Sequence, residues 1–192
     1  MIINSVVTNI QQGGLPAEYQ QVEYIGTSGT QYINLGITAK GTFSVFADFE
    51  ITAQNSTWLV VWGAYVTNAY YVVTTTDALN RVNVSYGSTT LNSKQLTYYT
   101  RTKMNMTPKY VAWEQNYNTY NQQTFTGGSM RICSNYLSMK IYHFTINDEN
   151  TPVIDLVPCY RIADSEIGMY DLVNGVFYTN SGTGTFTKGS DV

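Results

Sequence analysis

The sequence predicts an all-β fold, an antiparallel β-sandwich or jelly roll, and three observations carry that expectation. Apolar and polar residues alternate with period two in several short stretches, turn-forming residues recur at short intervals, and no stretch of ten residues shows a helical apolar stripe. Many short strands with frequent turns bury their apolar faces by closing two sheets on each other. At 192 residues the chain suits one domain, and a double-layer fold of that length buries a sizeable core.

Residues 1–14 read as a short β-branched arm carrying Ile2, Ile3, Val6 and Val7 and ending in the hinge Gly13 and Gly14; the domain proper is expected over 15–192. Such an arm either adds a strand to a neighbour's sheet edge or folds back on its own domain. The first clear strand covers 43–51. Phe43, Val45, Ala47, Phe49 and Ile51 fall on one face and Thr42, Ser44, Asp48 and Glu50 on the other, which predicts a sheet with one wet side. Trp58 to Trp62 and Tyr70 to Val73 read as strands with fuller burial, and alternation returns over 81–86, 96–99 and 110–113. Turns are expected at Asn55 and Ser56, Gly87 and Ser88, Asn92 and Ser93, Thr107 and Pro108, and Gly127 and Gly128. The polar stretch from Glu114 to Phe125 reads as a loop. In the last third, Tyr142, Phe144 and Ile146 alternate with Ile141, His143 and Thr145, so the first three are expected in the core together with Phe177 and Phe186.

Composition narrows the function classes. Only 12% of residues are charged, against roughly 25% in an average soluble domain. The surface is therefore expected to be mostly neutral and polar. Ten basic residues against thirteen acidic ones give a formal charge of −3 with no basic cluster, which argues against binding nucleic acid through its phosphates. No apolar run approaches the roughly 20 residues of a membrane span. The first residues lack the basic start and small-residue cleavage site of a secretory signal. Cys133 and Cys159 read as two small buried thiols, with pairing open on sequence alone.

Both ends of the domain resemble a known family. The stretch from Leu15 to Ile37, in which a Gly-rich turn joins VEYI (22–25) to QYI (31–33), and the stretch from Lys140 to Gly189 are similar to concanavalin A-like, laminin G-like jelly-roll domains. Such domains recur in virion proteins of phages infecting gut bacteria and in surface proteins of those bacteria. The resemblance implies a jelly-roll virion component, a capsid decoration or tail accessory, held by residues 1–14 or by lateral contacts to other virion proteins or to copies of itself. The alternative it leaves is a carbohydrate-binding module or adhesin on the bacterial surface.

Catalytic machinery is not expected. Glycoside hydrolysis needs two carboxylates flanking the scissile bond, and relatives of this fold that hydrolyse glucans carry three on one strand. Asp48 and Glu50 lack the third and read as the solvated face of their strand, while Asp148, Glu149, Asp164 and Glu166 sit in turns where carboxylates cap backbone groups. The one histidine, His143, excludes a His-cluster zinc site and reads as an ordinary strand histidine. No phosphate-cradling or nucleophile motif is present. No metal and no cofactor are expected, a rim calcium ion being the one candidate that the resemblance implies. The positive chemistry is aromatic and amide: rings stack on sugar faces while amides and hydroxyls bond sugar hydroxyls. Tyr117 and Tyr120 among Asn116 and Asn118 have that composition and are the local candidates for a glycan contact.

Overall fold

The computed structural model describes residues 14–64, 70–76, 80–134 and 136–192, and the chain forms two antiparallel sheets packed face to face. The all-β sandwich expectation is met, and the described residues contain no helix. The arm, apart from Gly14, lies outside the described residues.

The larger sheet runs in space β11 (Asn116–Thr119), β10 (Tyr110–Trp113), β9 (Thr102–Met106), β4 (Phe43–Gln54), β13 (Leu137–Asp148), β14 (Thr151–Arg161), β15 (Ile167–Asp171) and β16 (Val176–Tyr178). The short β1 (Tyr19–Gln21) pairs with β14, and β2 (Ile25–Gly26) pairs with β13 and with β17 (Thr187–Lys188). The smaller sheet runs β3 (Ile33–Lys40), β12 (Thr126–Ile132), β5 (Val60–Ala64), β6 (Tyr70–Thr75), β7 (Arg81–Gly87) and β8 (Thr89–Gln95).

The core fills the space between the sheets. Phe43, Val45, Ala47, Phe49 and Ile51 of β4 all point into it, as the alternation predicts. Trp62, Trp113, Tyr71, Tyr86, Phe49 and Phe144 are its largest buried side chains, and burying each large apolar side chain contributes roughly 1.5–3 kcal/mol. Two tyrosines also tie the layers together. The Tyr71 hydroxyl on β6 donates to the Phe43 carbonyl of the opposite sheet at 2.7 Å, and the Tyr86 hydroxyl on β7 donates to the Gly41 carbonyl beside it at 2.7 Å. A phenol enters a core at little penalty when its O–H finds such an acceptor. The indole N–H of Trp62 finds none among the described residues.

Several expectations need correction. In β13 the pairing with β4 slips between Ile141 and His143, leaving Tyr142 as an extra residue, a β-bulge. The bulge reverses the side-chain phase, so Leu137, Met139 and Ile141 before it and Phe144 and Ile146 after it all enter the core, while Tyr142 points outward. Phe177 is half-buried and stacks on Tyr19 at 4.9 Å outside the central core, whereas Phe186 is buried as expected. Asn92 and Ser93 lie within β8, and Gly127 and Gly128 lie within β12 at an irregularity in its pairing with β3. Residues 96–99 turn instead of extending, although Leu96 and Tyr98 are buried. Part of the expected loop, Asn116–Thr119, pairs with β10 as β11. In each case a neighbouring strand supplies or withholds the ladder partners, which outweighs local turn chemistry.

Both cysteines are free and buried. Burial pushes the thiol of Cys133 up to about 11 and that of Cys159 up to about 12, so neither is a thiolate at neutral pH.

Candidate functional site

The outer face of the six-stranded sheet carries a groove of about 540 Å³ lined by Trp58, Val60, Val72, Thr74, Asn83, Ser85, Thr90, Asn92 and Arg131. Strand alternation builds it. On β6, Tyr71 and Val73 enter the core, so Val72 and Thr74 face out; on β7, Val82, Val84 and Tyr86 enter the core, so Asn83 and Ser85 face out. The register aligns these side chains across the sheet. Arg131 of β12 stands opposite Gly63 of β5, Gly63 opposite Val72, Val72 opposite Ser85, and Ser85 opposite Thr90 of β8. Four strand spacings separate the ends of this row, about 19 Å. A second, shorter row runs Val60, Thr74, Asn83.

Although they face away from the core, Val72 is 2% exposed, Asn83 4% and Ser85 8%. Their low exposure agrees with their place on the floor of the groove. Ser85 and Thr90 share a hydrogen bond between their hydroxyls at 3.1 Å. In the Arg131 row, Gly63 contributes no side chain, which leaves bare backbone between the guanidinium and Val72. Its φ of 121° and the Tyr71 carbonyl, on which a Cβ would fall, reserve the position for glycine.

Trp58 stands at the lip. It is 61% exposed, and its φ of 60° is a left-handed conformation that a large side chain rarely adopts. The next residue is pinned on both sides, Leu59 N–H donating to the Thr75 hydroxyl at 3.1 Å and Thr75 N–H to the Leu59 carbonyl at 2.8 Å. The turn therefore holds an indole outward at a cost in backbone strain of order 1–3 kcal/mol.

The lining supplies an aromatic face, two valines, hydroxyls, amides and one cation; among the described residues it contains no carboxylate and no imidazole. Such a set is chemically suited to a polyhydroxylated ligand, with C–H faces on the ring and valines and hydroxyls on the amides. Proton transfer to a leaving group would need a titratable acid that this lining lacks.

The sequence-predicted residues lie elsewhere, on and beside the edge strand β11 of the other sheet. Tyr117 is 60% exposed and stacks on Tyr110 at 5.3 Å. Asn116 Nδ2 donates to the Gln95 carbonyl at 3.3 Å, and Asn118 is half-buried. Tyr120 stacks on Tyr86 at 4.6 Å and its hydroxyl donates to the Thr107 carbonyl at 2.7 Å, with burial raising its pKa. From the sequence, Trp58 is expected in a buried run, Asn83 in an alternating strand and Asn92 in a turn. The available signal was the alternation of Asn83 and Ser85 with Val82, Val84 and Tyr86.

The larger sheet's outer face is polar too, but its groups are spoken for. Asp48, expected on a solvated face, is 4% exposed and accepts a bidentate pair from Arg101 at 2.7 and 2.9 Å. The Arg101 guanidinium lies 3.9 Å over the Tyr142 ring, whose hydroxyl donates to Glu50 at 3.0 Å beside Lys140 at 3.2 Å. His143 Nε2 and Asp155 are 2.7 Å apart. Fully buried Asp171 accepts from the backbone N–H groups of Asp155 and Val173 and from Asn174 Nδ2. No group of three His, Cys, Asp or Glu side chains suited to a metal ion occurs among the described residues.

Compared with protein-family models, with curated proteins and with solved structures, the chain has no significant match. What defines its class is the geometry: an antiparallel β-sandwich with a concave, polar, aromatic-lipped groove on one outer face.

Proposed function

We propose that the chain is a non-catalytic glycan-binding module displayed on a phage particle, with the groove of the six-stranded sheet as its binding site. One observation carries the binding reading: an outward-held indole beside a concave floor of amides, hydroxyls and valines. Stacking and neutral hydrogen bonds are what a sugar offers and accepts. The virion setting is supported by the sequence, since residues 15–37 and 140–189 resemble the concanavalin A-like jelly rolls of phage structural proteins, and the sandwich is compatible with that fold. A bacterial surface module would use the same groove, and the sequence resemblance reaches such proteins as well.

Screening the purified chain on a glycan array tests the binding. Trp58→Ala is expected to weaken any bound glycan tenfold or more, while Tyr117→Ala leaves it unchanged. Binding lost in Tyr117→Ala and kept in Trp58→Ala would move the site to β11, and a wild-type protein that binds no glycan would refute the reading. Mass spectrometry of purified virions, with the chain expected as a stoichiometric component, decides the setting; finding it in the bacterial envelope fraction instead selects the surface module.

A further inference from the structure

Arg131 stands apart from the arginines whose partners are seen in the fold. Arg101 is paired with Asp48 and Arg161 with Asp164. Arg131, exposed on β12 at the end of the groove's main row, makes no ion pair and no side-chain hydrogen bond among the described residues. Its neighbour in the row is Gly63, so no side chain stands between the guanidinium and the valine floor. Among the described residues the lining carries no negative charge to compensate it. A cation with five donors in a planar fork, open to a groove on a protein of formal charge −3, calls for an anion from the ligand.

We propose that the groove selects glycans that carry a carboxylate, those containing a uronic or sialic acid, and that Arg131 binds that carboxylate through two parallel N–H···O bonds. The proposal rests on the glycan-binding reading and names the ligand class for the same site. The geometry divides the work. Trp58 and the valines take the apolar faces of the sugar rings, while Thr74, Thr90 and Asn92 present groups for neutral hydroxyls. At the far end, Arg131 meets the acid. A planar carboxylate matches the guanidinium fork, whereas the rest of the lining, among the described residues, offers it neither a second cation nor a competing anion.

Calorimetric titration of the full chain with galacturonic acid oligosaccharides, hyaluronan oligosaccharides and sialyllactose tests this, each beside an uncharged counterpart such as the methyl ester or the parent neutral sugar. At least one acid is expected to bind roughly tenfold to a hundredfold more tightly than its counterpart, the range of a charge-assisted hydrogen bond. The preference should shrink with added salt. Arg131→Gln should erase it, and Arg131→Lys should recover only part, because the charge returns without the fork. Acids and esters binding equally, an acid preference that survives Arg131→Gln, or tighter binding of sulfated than of carboxylated sugars would each overturn the carboxylate assignment. If neutral glycans still bind in a Trp58-dependent manner, the groove reading stands without it. No binding to either kind overturns both.

Discussion

The two outer faces of the sandwich handle polarity in opposite ways. On the larger sheet the polar side chains answer one another: Asp48 with Arg101, Glu50 with Tyr142 and Lys140, His143 with Asp155. On the smaller sheet the polar residues line open space, and Arg131 has no partner among the described residues. Both faces derive from the same alternation of strand residues. Curvature and pairing separate them: one face is tiled by ion pairs and hydrogen bonds between its side chains, and the other holds a groove with Arg131 at its end.

That contrast can be broken or sharpened by mutation. The largest effect is expected for Gly63→Ala in the groove floor, where a positive φ and the Tyr71 carbonyl both oppose a side chain; a loss of about 3 kcal/mol is expected. In a chain of this length that lowers the melting temperature by roughly 6–12 °C. A variant as stable as wild type would mean that β5 and β6 are not so closely apposed. The sharpest comparison pairs two arginines. Arg101→Ala leaves a buried Asp48 carboxylate unpaired and should cost about 2 kcal/mol in denaturant unfolding, its partner being half-exposed. Arg131→Ala should change stability by no more than about 0.5 kcal/mol. Equal losses would erase the distinction between the two faces.

A smaller effect concerns acid. The Thr42 hydroxyl, and then Lys40, hold the Asp148 carboxyl below its ordinary value of 3.8. A depressed folded-state value contributes stability above the unfolded value and loses it as pH falls through the folded one. Wild type should therefore exceed Asp148→Asn in melting temperature at pH 7, and the gap should close below about pH 4. A gap constant down to pH 2 would refute the linkage. The smallest change is expected for Lys188→Ala, whose pair with Asp191 is exposed and i,i+3; less than about 0.5 kcal/mol is at stake.

Much of the fold was legible because alternation is local. Phe43 to Ile51 announce an inward face without reference to any partner. Tyr142 was misplaced because a bulge is a property of two strands, and nothing near residue 142 records that β4 supplies one residue fewer there. Asn116 to Thr119 look like a loop until Tyr110 to Trp113 provide a ladder. The groove was illegible for a stronger reason. Its lining comes from β5, β6, β7, β8 and β12, and only the register sets Arg131 in line with Thr90, forty-one positions away in sequence. Composition points to amides and aromatic rings where they cluster in sequence, at Asn116 to Tyr120, and only strand register shows that a second such set converges in the groove.

The hydroxyls of Tyr71 and Tyr86 have a mechanical consequence. Tyr71 and Val72 are consecutive, one side chain anchored on the opposite sheet and the next forming the groove floor. Tyr86, directly after Ser85 one strand further on, is anchored to Gly41 in the turn that joins β3 to β4. The concave floor is thus bolted from behind at two adjacent strands and resists flattening or sliding. A ligand of the proposed kind would meet a mould already held in shape, and little of its binding energy would go into reshaping the receptor.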